Sequence, residues 1–179
     1  MKNFVMLLTI SRLISGPIIF FLANVFEQYL IAFVIFLLSA VTDFFDGFLA
    51  RRYQAESSLG KVLDPIADKI ILVCTLVSIN LLIDSIYIGF LSIIIISREI
   101  WVSGLREHNS HMDKISKTSV SLLAKYKTTT QFFSIALYYY SFAYNLALGF
   151  FIAGFILFLS AVLSIKTALD YTKNTFQEN

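Results

Sequence analysis

The sequence predicts an all-α, polytopic membrane protein with six transmembrane helices. Of its 179 residues, 58% are hydrophobic, and the mean hydropathy is +0.77. A soluble domain of this length cannot hide so much apolar surface, whereas a bilayer solvates it. The apolar residues also fall into six runs, each close to the roughly 20 residues that a helix needs to cross hydrocarbon. Length and composition therefore predict the same fold class.

The six predicted spans follow one another through three short and two longer connections. The short connections lie around Glu27, Asp84 and Asn145, and the longer, polar ones lie at 51–61 and 106–127. The predicted spans are 4–24, 28–50, 62–83, 86–105, 128–145 and 147–169.

The distribution of positive charge predicts one orientation in the membrane. All 14 Lys and Arg residues lie at the termini, in the two long connections or at the span ends beside them. The short connections carry only the acids Glu27 and Asp84. By the positive-inside rule, both termini and both long connections face the cytoplasm. For the first span, the alternative is a start as an interfacial helix over residues 2–15, with its apolar face in the bilayer.

Composition also argues against several classes of protein. A formal net charge of +2 is too small to indicate a nucleic-acid partner. The single cysteine, Cys74, leaves no intrachain disulfide and indicates no thiolate metal cluster. We find no internal repeat or linker, so we predict one domain over residues 1–179.

Charged residues gather in one stretch of this apolar chain, residues 43–69. At about 100° per residue, Asp43 and Asp46 share a face of the second span. Asp64 and Asp68 share a face of the third span. The connection between the two spans allows them to pack antiparallel, so we expect all four carboxylates to meet at the membrane boundary.

Carboxylates at this density repel one another, so cations must lie between them. In one interpretation, nearby basic side chains pair with the acids, and Asp64 caps a helix that Pro65 begins. In the other, Mg²⁺ or Mn²⁺ fills the space, because hard cations prefer carboxylate oxygens and water. Capping explains Asp64 but not the matched acidic faces, which favours metal. The basic side chains of the first interpretation are Arg51, Arg52, Lys61 and Lys69.

Small residues stand on the same helical faces as the acids. Gly47 and Ala50 leave room on the second span and Gly60 on the third, although such residues also serve helix packing in membranes. Arg51 follows the acidic face and can bind a phosphate through two parallel hydrogen bonds. Two metal ions, an arginine and a small-walled cleft are typical of a phosphoryl-transfer site.

This stretch resembles the complete signature of the CDP-alcohol phosphatidyltransferases, and the resemblance covers nearly the whole chain, including its six helices. Members of that family transfer a substituted phosphate from a CDP-linked donor to an alcohol and release CMP. The eight signature positions, all matched at the family's spacing, are Asp43, Asp46, Gly47, Ala50, Arg51, Gly60, Asp64 and Asp68.

The resemblance implies a role for each of these residues. Two divalent cations, Mg²⁺ or Mn²⁺, would bind to Asp43, Asp46, Asp64 and Asp68. Asp68 would also be the catalytic base that takes the proton of the acceptor hydroxyl. The cytidine and diphosphate of the donor, CDP-diacylglycerol, would lie against Gly47, Ala50, Arg51, Ser57 and Gly60. A homodimer in the bacterial cytoplasmic membrane is implied as well.

A second polar island lies in the fourth and fifth spans. Arg98 lies inside the fourth span and Arg106 near its cytoplasmic end, and Lys125 and Lys127 lie at the start of the fifth. An acceptor with its own phosphate would need such cations, whereas a neutral alcohol would not. In the competing interpretation, Arg98 and Glu99 neutralise each other in the bundle, and the lysines are ordinary positive-inside flanks.

The island resembles that of family members whose acceptor is sn-glycerol 3-phosphate. In those proteins an Arg-Glu pair precedes the element Gly-Lys-x-Lys-Thr-x2-Gln, and here Ala124 stands at the glycine. The opening LLTISRLISGP is also similar, with Thr9, Arg12 and Pro17 at the expected positions. The resemblance thus implies sn-glycerol 3-phosphate as acceptor. The alternatives are phosphatidylglycerol or inositol phosphate as acceptor and, in another class, a divalent-cation transporter, because acids within spans also mark ion pathways.

Overall fold

The chain folds into six helices joined by short turns or longer segments. The computed structural model describes residues 2–53, 58–112 and 122–177, and these ranges contain no strand. The helices are α1 (Lys2–Asn24), α2 (Tyr29–Tyr53), α3 (Ser58–Ile83), α4 (Ile86–His111), α5 (Leu122–Tyr144) and α6 (Ala147–Phe176). The predicted all-α fold is confirmed.

Four helices contain stretches that are long and apolar enough to cross a membrane, so the chain is a multi-pass membrane protein. The described apolar part of α2, Tyr29–Asp43, is shorter. Helix α5 begins with the polar run LLAKYKTTTQ. The count of six spans therefore stays a prediction. The four long apolar stretches are Met6–Asn24, Val62–Ile83, Ile86–Ser110 and Ala147–Phe176.

The three short connections lie where the sequence predicts them. Glu27, Asp84 and Asn145 each adopt a left-handed backbone, with φ of 55°, 49° and 51°. One residue in this conformation ends a helix and turns the chain, and the short polar side chains of Asp and Asn tolerate it. Each of these turns joins two consecutive helices directly: α1 to α2, α3 to α4, and α5 to α6.

Helix α1 lies against both α2 and α3, which do not pack on each other in the described part of the chain. The expected direct antiparallel packing of α2 on α3 is therefore wrong there. On one side of α1, Ser15 accepts a hydrogen bond from Ser39 of α2 at 3.0 Å. On the other side, Gly16 lets α1 approach the backbone of α3, because a Cβ there would lie 3.2 Å from Ile70 O and Ile71 Cα.

The remaining helices complete the bundle around a shared core. Helix α5 packs on α6, α2 and α3, and α4 packs on α6 and α3. Helices α4 and α6 run to residues 111 and 176, beyond the predicted ends at 105 and 169. Hydropathy marks only the part of a helix that can cross hydrocarbon, whereas these helices continue because their polar ends hydrogen-bond to each other. Asn109 Nδ2, for example, donates to Thr175 Oγ1 at 2.8 Å.

Candidate active site

The acids of α2 and α3 converge on one buried arginine of α1. Arg12 is 1% exposed, and its guanidinium pairs with Asp43 of α2. From α3, Asp64 Oδ1 and Asp68 Oδ1 each lie 3.0 Å from a terminal nitrogen of the same guanidinium. Thr9 Oγ1, one turn before Arg12, donates to Asp64 Oδ1 at 2.7 Å. Three of the four predicted aspartates therefore lie close together. They meet at Arg12 of α1, the helix that lies between α2 and α3.

Arg12 neutralises only part of this acidic cluster, which we define as Asp43, Asp64 and Asp68. Three carboxylates face one guanidinium, and their side chains are 51%, 41% and 48% exposed. Accessible carboxylate oxygens fit a hard divalent cation by charge and by ligand type. With Arg12 between them, the described acids do not form a group spaced to hold a metal ion. The acids therefore pair with a basic side chain, and this side chain is Arg12, which the sequence interpretation had not considered as their partner.

The fourth predicted aspartate and most of the predicted donor contacts fall on side chains outside the described residues. Helix α2 carries these positions near its end, and Ser57 belongs to the undescribed segment 54–57. Gly60 is buried in the first turn of α3. The contacts with cytidine and diphosphate remain predictions, and so does metal binding by Asp46. The positions of α2 predicted for the donor are Gly47, Ala50 and Arg51.

A cavity of about 530 Å³ opens beside the acidic cluster and reaches the second polar island. Asp43 and Asp68 line it, and so do three predicted acceptor cations, Arg98, Arg106 and Lys127. The volume lies in the range of pockets that bind small molecules. Residues predicted to bind metal ions and residues predicted to bind the phosphate of the acceptor thus border one space.

The cations of α4 and α5 share one carboxylate. Arg98 Nη1 lies 3.1 Å from Glu99 Oε1, and Lys127 pairs with the same oxygen. The ion pair between Arg98 and Glu99 considered from the sequence is therefore present, and Lys127 joins it. Two cations against one carboxylate leave this part of the cavity wall positive. Arg98 Nε is buried and has no hydrogen-bond partner among the described residues.

Helix α6 adds two residues that sequence reasoning missed. Thr167 Oγ1 accepts a hydrogen bond from Arg98 Nη2 at 3.0 Å, and the Tyr171 hydroxyl accepts one from Arg106 Nη2 at 3.3 Å. A signal for this face was present, because polar residues recur every three or four positions along the apolar α6. The buried members of that series are Ser160, Ser164, Thr167, Tyr171 and Thr175.

Lys125 is the one predicted acceptor cation that does not line the cavity. Its side chain is exposed, whereas that of Lys127 is buried. Two positions along a helix correspond to a rotation of about 200°, so the two lysines point to different sides of α5. This placement favours the interpretation of Lys125 as a positive flank of the span.

The comparison with known proteins gives the class to which this site belongs. Residues 2–166 match the profile of the family described as CDP-alcohol phosphatidyltransferase. That range spans the acidic cluster, the cavity and most of α6. The chain belongs to the CDP-alcohol phosphatidyltransferase family and is an enzyme.

Individual relatives resemble the chain over almost its full length, and each is named CDP-diacylglycerol–glycerol-3-phosphate 3-phosphatidyltransferase. The protein of Wigglesworthia glossinidia brevipalpis is 39% identical over 92% of this chain and 90% of its own. That of Rickettsia typhi is 38% identical over 97% of both chains. That of Escherichia coli K12 is 36% identical over 94% of this chain and 92% of its own.

Proposed function

We propose that this enzyme transfers the phosphatidyl group of CDP-diacylglycerol to sn-glycerol 3-phosphate, giving phosphatidylglycerophosphate and CMP. The observation that carries the proposal is the shared cavity, with Asp43 and Asp68 in its lining together with Arg98, Arg106 and Lys127. Acids that attract cations suit a diphosphate donor, and free positive charge suits a phosphorylated acceptor. The names of the relatives give the same pair of substrates.

Divalent cations, Mg²⁺ or Mn²⁺ and two for each site, are part of the proposal. The residues that would hold them are Asp43, Asp46, Asp64 and Asp68. When bound, such ions neutralise a diphosphate and stabilise the charge that develops on attacking and leaving oxygens. The position of Arg12 supports this, because the acidic cluster already surrounds one positive charge and its carboxylate side chains stay 41–51% exposed.

Asp68 is the proposed catalytic base, since its carboxylate borders the cavity. It takes the proton of the acceptor hydroxyl, whose oxygen forms a bond to the phosphorus that carries diacylglycerol. The bond from that phosphorus to the bridging oxygen breaks, and CMP leaves with the electron pair. Arg98, Arg106 and Lys127 hold the phosphate of the acceptor through charge-assisted hydrogen bonds.

The proposal places this reaction at the cytoplasmic leaflet of the bacterial inner membrane. The positions of the 14 cations support cytoplasmic termini and cytoplasmic long connections. The bacterial relatives support the choice of membrane. A homodimer, and donor contacts from Gly47, Ala50, Arg51, Ser57 and Gly60, rest on the family resemblance.

A panel of acceptors tests the proposal directly. Purified protein in detergent receives CDP-diacylglycerol and Mg²⁺ or Mn²⁺, and CMP release is measured with each acceptor in turn. We expect release with sn-glycerol 3-phosphate and little with glycerol, which has the same hydroxyls but no phosphate. Preference for phosphatidylglycerol or inositol phosphate would keep the chemistry and change the acceptor.

The same preparation separates the enzyme from a transporter. Absence of CMP release with every acceptor would overturn the proposed function. Uptake of a divalent cation by proteoliposomes without lipid substrate would then favour the transporter. Asp43 lies where the apolar part of α2 ends, and Asp64 and Asp68 lie near the start of the apolar stretch of α3, which favours the enzyme over a path through the membrane.

A further inference from the structure

The last turns of α6 lie alongside the C-terminal half of α4 and are hydrogen-bonded to it. This segment of α6, residues 167–176, lies beyond residue 166, where the match to the family profile ends. We call it the α6 tail. The hydrogen bonds across the two helices join Arg98 to Thr167 at 3.0 Å, Arg106 to Tyr171 at 3.3 Å, Trp101 to Thr172 at 2.9 Å and Asn109 to Thr175 at 2.8 Å.

Two of these four hydrogen bonds hold arginines that line the cavity. Tyr171 is 4% exposed, and its ring lies 5.8 Å from the guanidinium carbon of Arg98 and 5.5 Å from that of Arg106. A guanidinium at this distance from an aromatic ring is attracted to its electron-rich face. Tyr171 therefore contacts both cations at once, and its hydroxyl accepts a hydrogen bond from one of them.

Without Tyr171, the side chains of Arg98 and Arg106 would not keep this arrangement. Each has a long side chain with many rotamers, and two neighbouring positive charges repel. Glu99 balances Arg98, but the described contacts of Arg106 at the cavity are with Tyr171. The tyrosine thus orders Arg106 and keeps it beside Arg98 before any ligand arrives, which lowers the entropy cost of binding.

We propose that Tyr171 is a positioning residue that selects the acceptor, by holding Arg98 and Arg106 at a spacing that suits one phosphate monoester. The inference rests on the proposed function and deepens it. It assigns to the α6 tail the affinity for a small phosphorylated alcohol. The donor, whose predicted contacts lie on α2 and α3, is bound independently of this tyrosine.

The test compares Tyr171→Phe and Tyr171→Leu with the parent enzyme. The first removes the hydroxyl and keeps the ring, and the second removes both. Tyr144→Phe is the matched control, because Tyr144 is an exposed tyrosine at the far end of α5. CMP release is measured with varied sn-glycerol 3-phosphate at saturating donor, then with varied CDP-diacylglycerol at saturating acceptor.

We expect the KM for the acceptor to rise about fivefold in Tyr171→Phe, the effect of losing roughly one hydrogen bond. In Tyr171→Leu the rise should exceed about tenfold, since the ring contact is lost as well. The KM for the donor and the kcat at saturating acceptor should stay within about twofold of the parent in both, since binding contacts common to ground and transition states alter KM alone. Tyr144→Phe should match the parent throughout.

Two outcomes overturn the inference while the proposed function stands. One is an unchanged acceptor KM in both Tyr171 variants of an otherwise active enzyme. The other is an equal loss for donor and acceptor together with a lower melting temperature in Tyr171→Phe, which would make the tyrosine a purely structural residue. A parent enzyme that releases no CMP would overturn the proposed function, and this inference with it.

Discussion

Arg12 is the residue on which the geometry of the acidic cluster depends. A buried guanidinium is stable in an apolar bundle only when carboxylates surround it, and the three acids are held together only by positive charge. Each group therefore requires the other. The proposed metal ions would have to share the three carboxylates with Arg12 or displace it.

Arg12→Ala should destabilise the protein when divalent cations are absent. We expect the free energy of unfolding to fall by about 1–3 kcal/mol in EDTA, because the carboxylates lose a charged hydrogen-bond partner. Added Mn²⁺ should restore part of the loss by supplying the missing charge. Thermal melting in detergent measures both effects, with Arg12→Lys as the variant that keeps the charge. Equal melting of Arg12→Ala and the parent in EDTA would show that Arg12 does not stabilise the cluster.

Asp68→Asn should separate catalysis from binding. Asn keeps an oxygen that can accept the hydrogen bond of Arg12 but cannot take up the proton of the acceptor. We expect CMP release to fall by about 10²–10⁴-fold, the usual contribution of a general base. Donor binding, followed by the rise in melting temperature with CDP-diacylglycerol, should persist.

The control for that substitution is Asp84→Asn. Asp84 is exposed in the turn between α3 and α4, and Asn tolerates its left-handed backbone. Activity of the control should equal that of the parent. Unchanged turnover in Asp68→Asn would remove the proposed base.

The sequence predicted part of this site, and the limit has a physical cause. Spacing alone placed Asp64 and Asp68 on one face, because both lie on one helix with a known period. Arg12 and Tyr171 were not predicted as site residues. Their contacts depend on how α1 and α6 dock, which no local spacing determines.

Among the helices, α1 determines how the two acidic elements are joined. Gly16 brings the backbone of α1 against that of α3, one turn after Arg12. A side chain there would meet backbone atoms, which cannot move aside without shifting the helix. The close approach at Gly16 therefore sets the reach of Arg12 to Asp64 and Asp68.

Gly16→Val should push α1 away from α3. Overpacking of this kind costs typically about 1–3 kcal/mol of stability. Cation-dependent stabilisation should weaken too, because the acids of α3 then lie farther from Asp43. Thermal melting with EDTA and with Mn²⁺ measures both quantities.

Gly104→Ala provides the matched control in a helix. A Cβ at Gly104 meets no atom within 4 Å, so stability should stay level or rise by up to about 1 kcal/mol. A Gly16→Val variant as stable as the parent would contradict the close packing of α1 on α3.

The positions of the helices were easier to predict than which helices pack against each other. Apolar runs and the turns at Glu27, Asp84 and Asn145 marked the elements, since both features are local. No local feature of the sequence indicated that α1 packs against both α2 and α3. Large apolar side chains occur both buried and exposed along these helices, as at Ile19 and Phe21 of α1, so hydropathy does not show which faces meet.

At the scale of the whole molecule, acidic and basic clusters from four helices meet at one cavity. Helices α2 and α3 supply acids, and α4 and α5 supply cations that α6 helps to hold. Such an arrangement works on two charged substrates only if the cavity opens to the compartment that contains the soluble one. The orientation of the bundle is therefore a functional property.

Cysteine labelling tests that orientation. In a Cys74→Ser background, Ile86→Cys places a thiol beside a short connection, at a position that is 93% exposed, and Lys173→Cys places one in the exposed end of α6. An impermeant maleimide added to intact spheroplasts should label position 86 and reach position 173 only after permeabilisation. The reverse pattern would invert the topology that the positive charges predict.

The most direct test of the central claim follows the attacking oxygen. sn-Glycerol 3-phosphate carrying ¹⁸O in its primary hydroxyl is incubated with CDP-diacylglycerol, divalent cation and the purified enzyme. The masses of the products are then determined by mass spectrometry. Attack on the phosphorus that bears diacylglycerol predicts ¹⁸O in phosphatidylglycerophosphate and unlabelled CMP. Formation of phosphatidic acid together with a labelled CMP ester of sn-glycerol 3-phosphate, or no acceptor-dependent product at all, would contradict it.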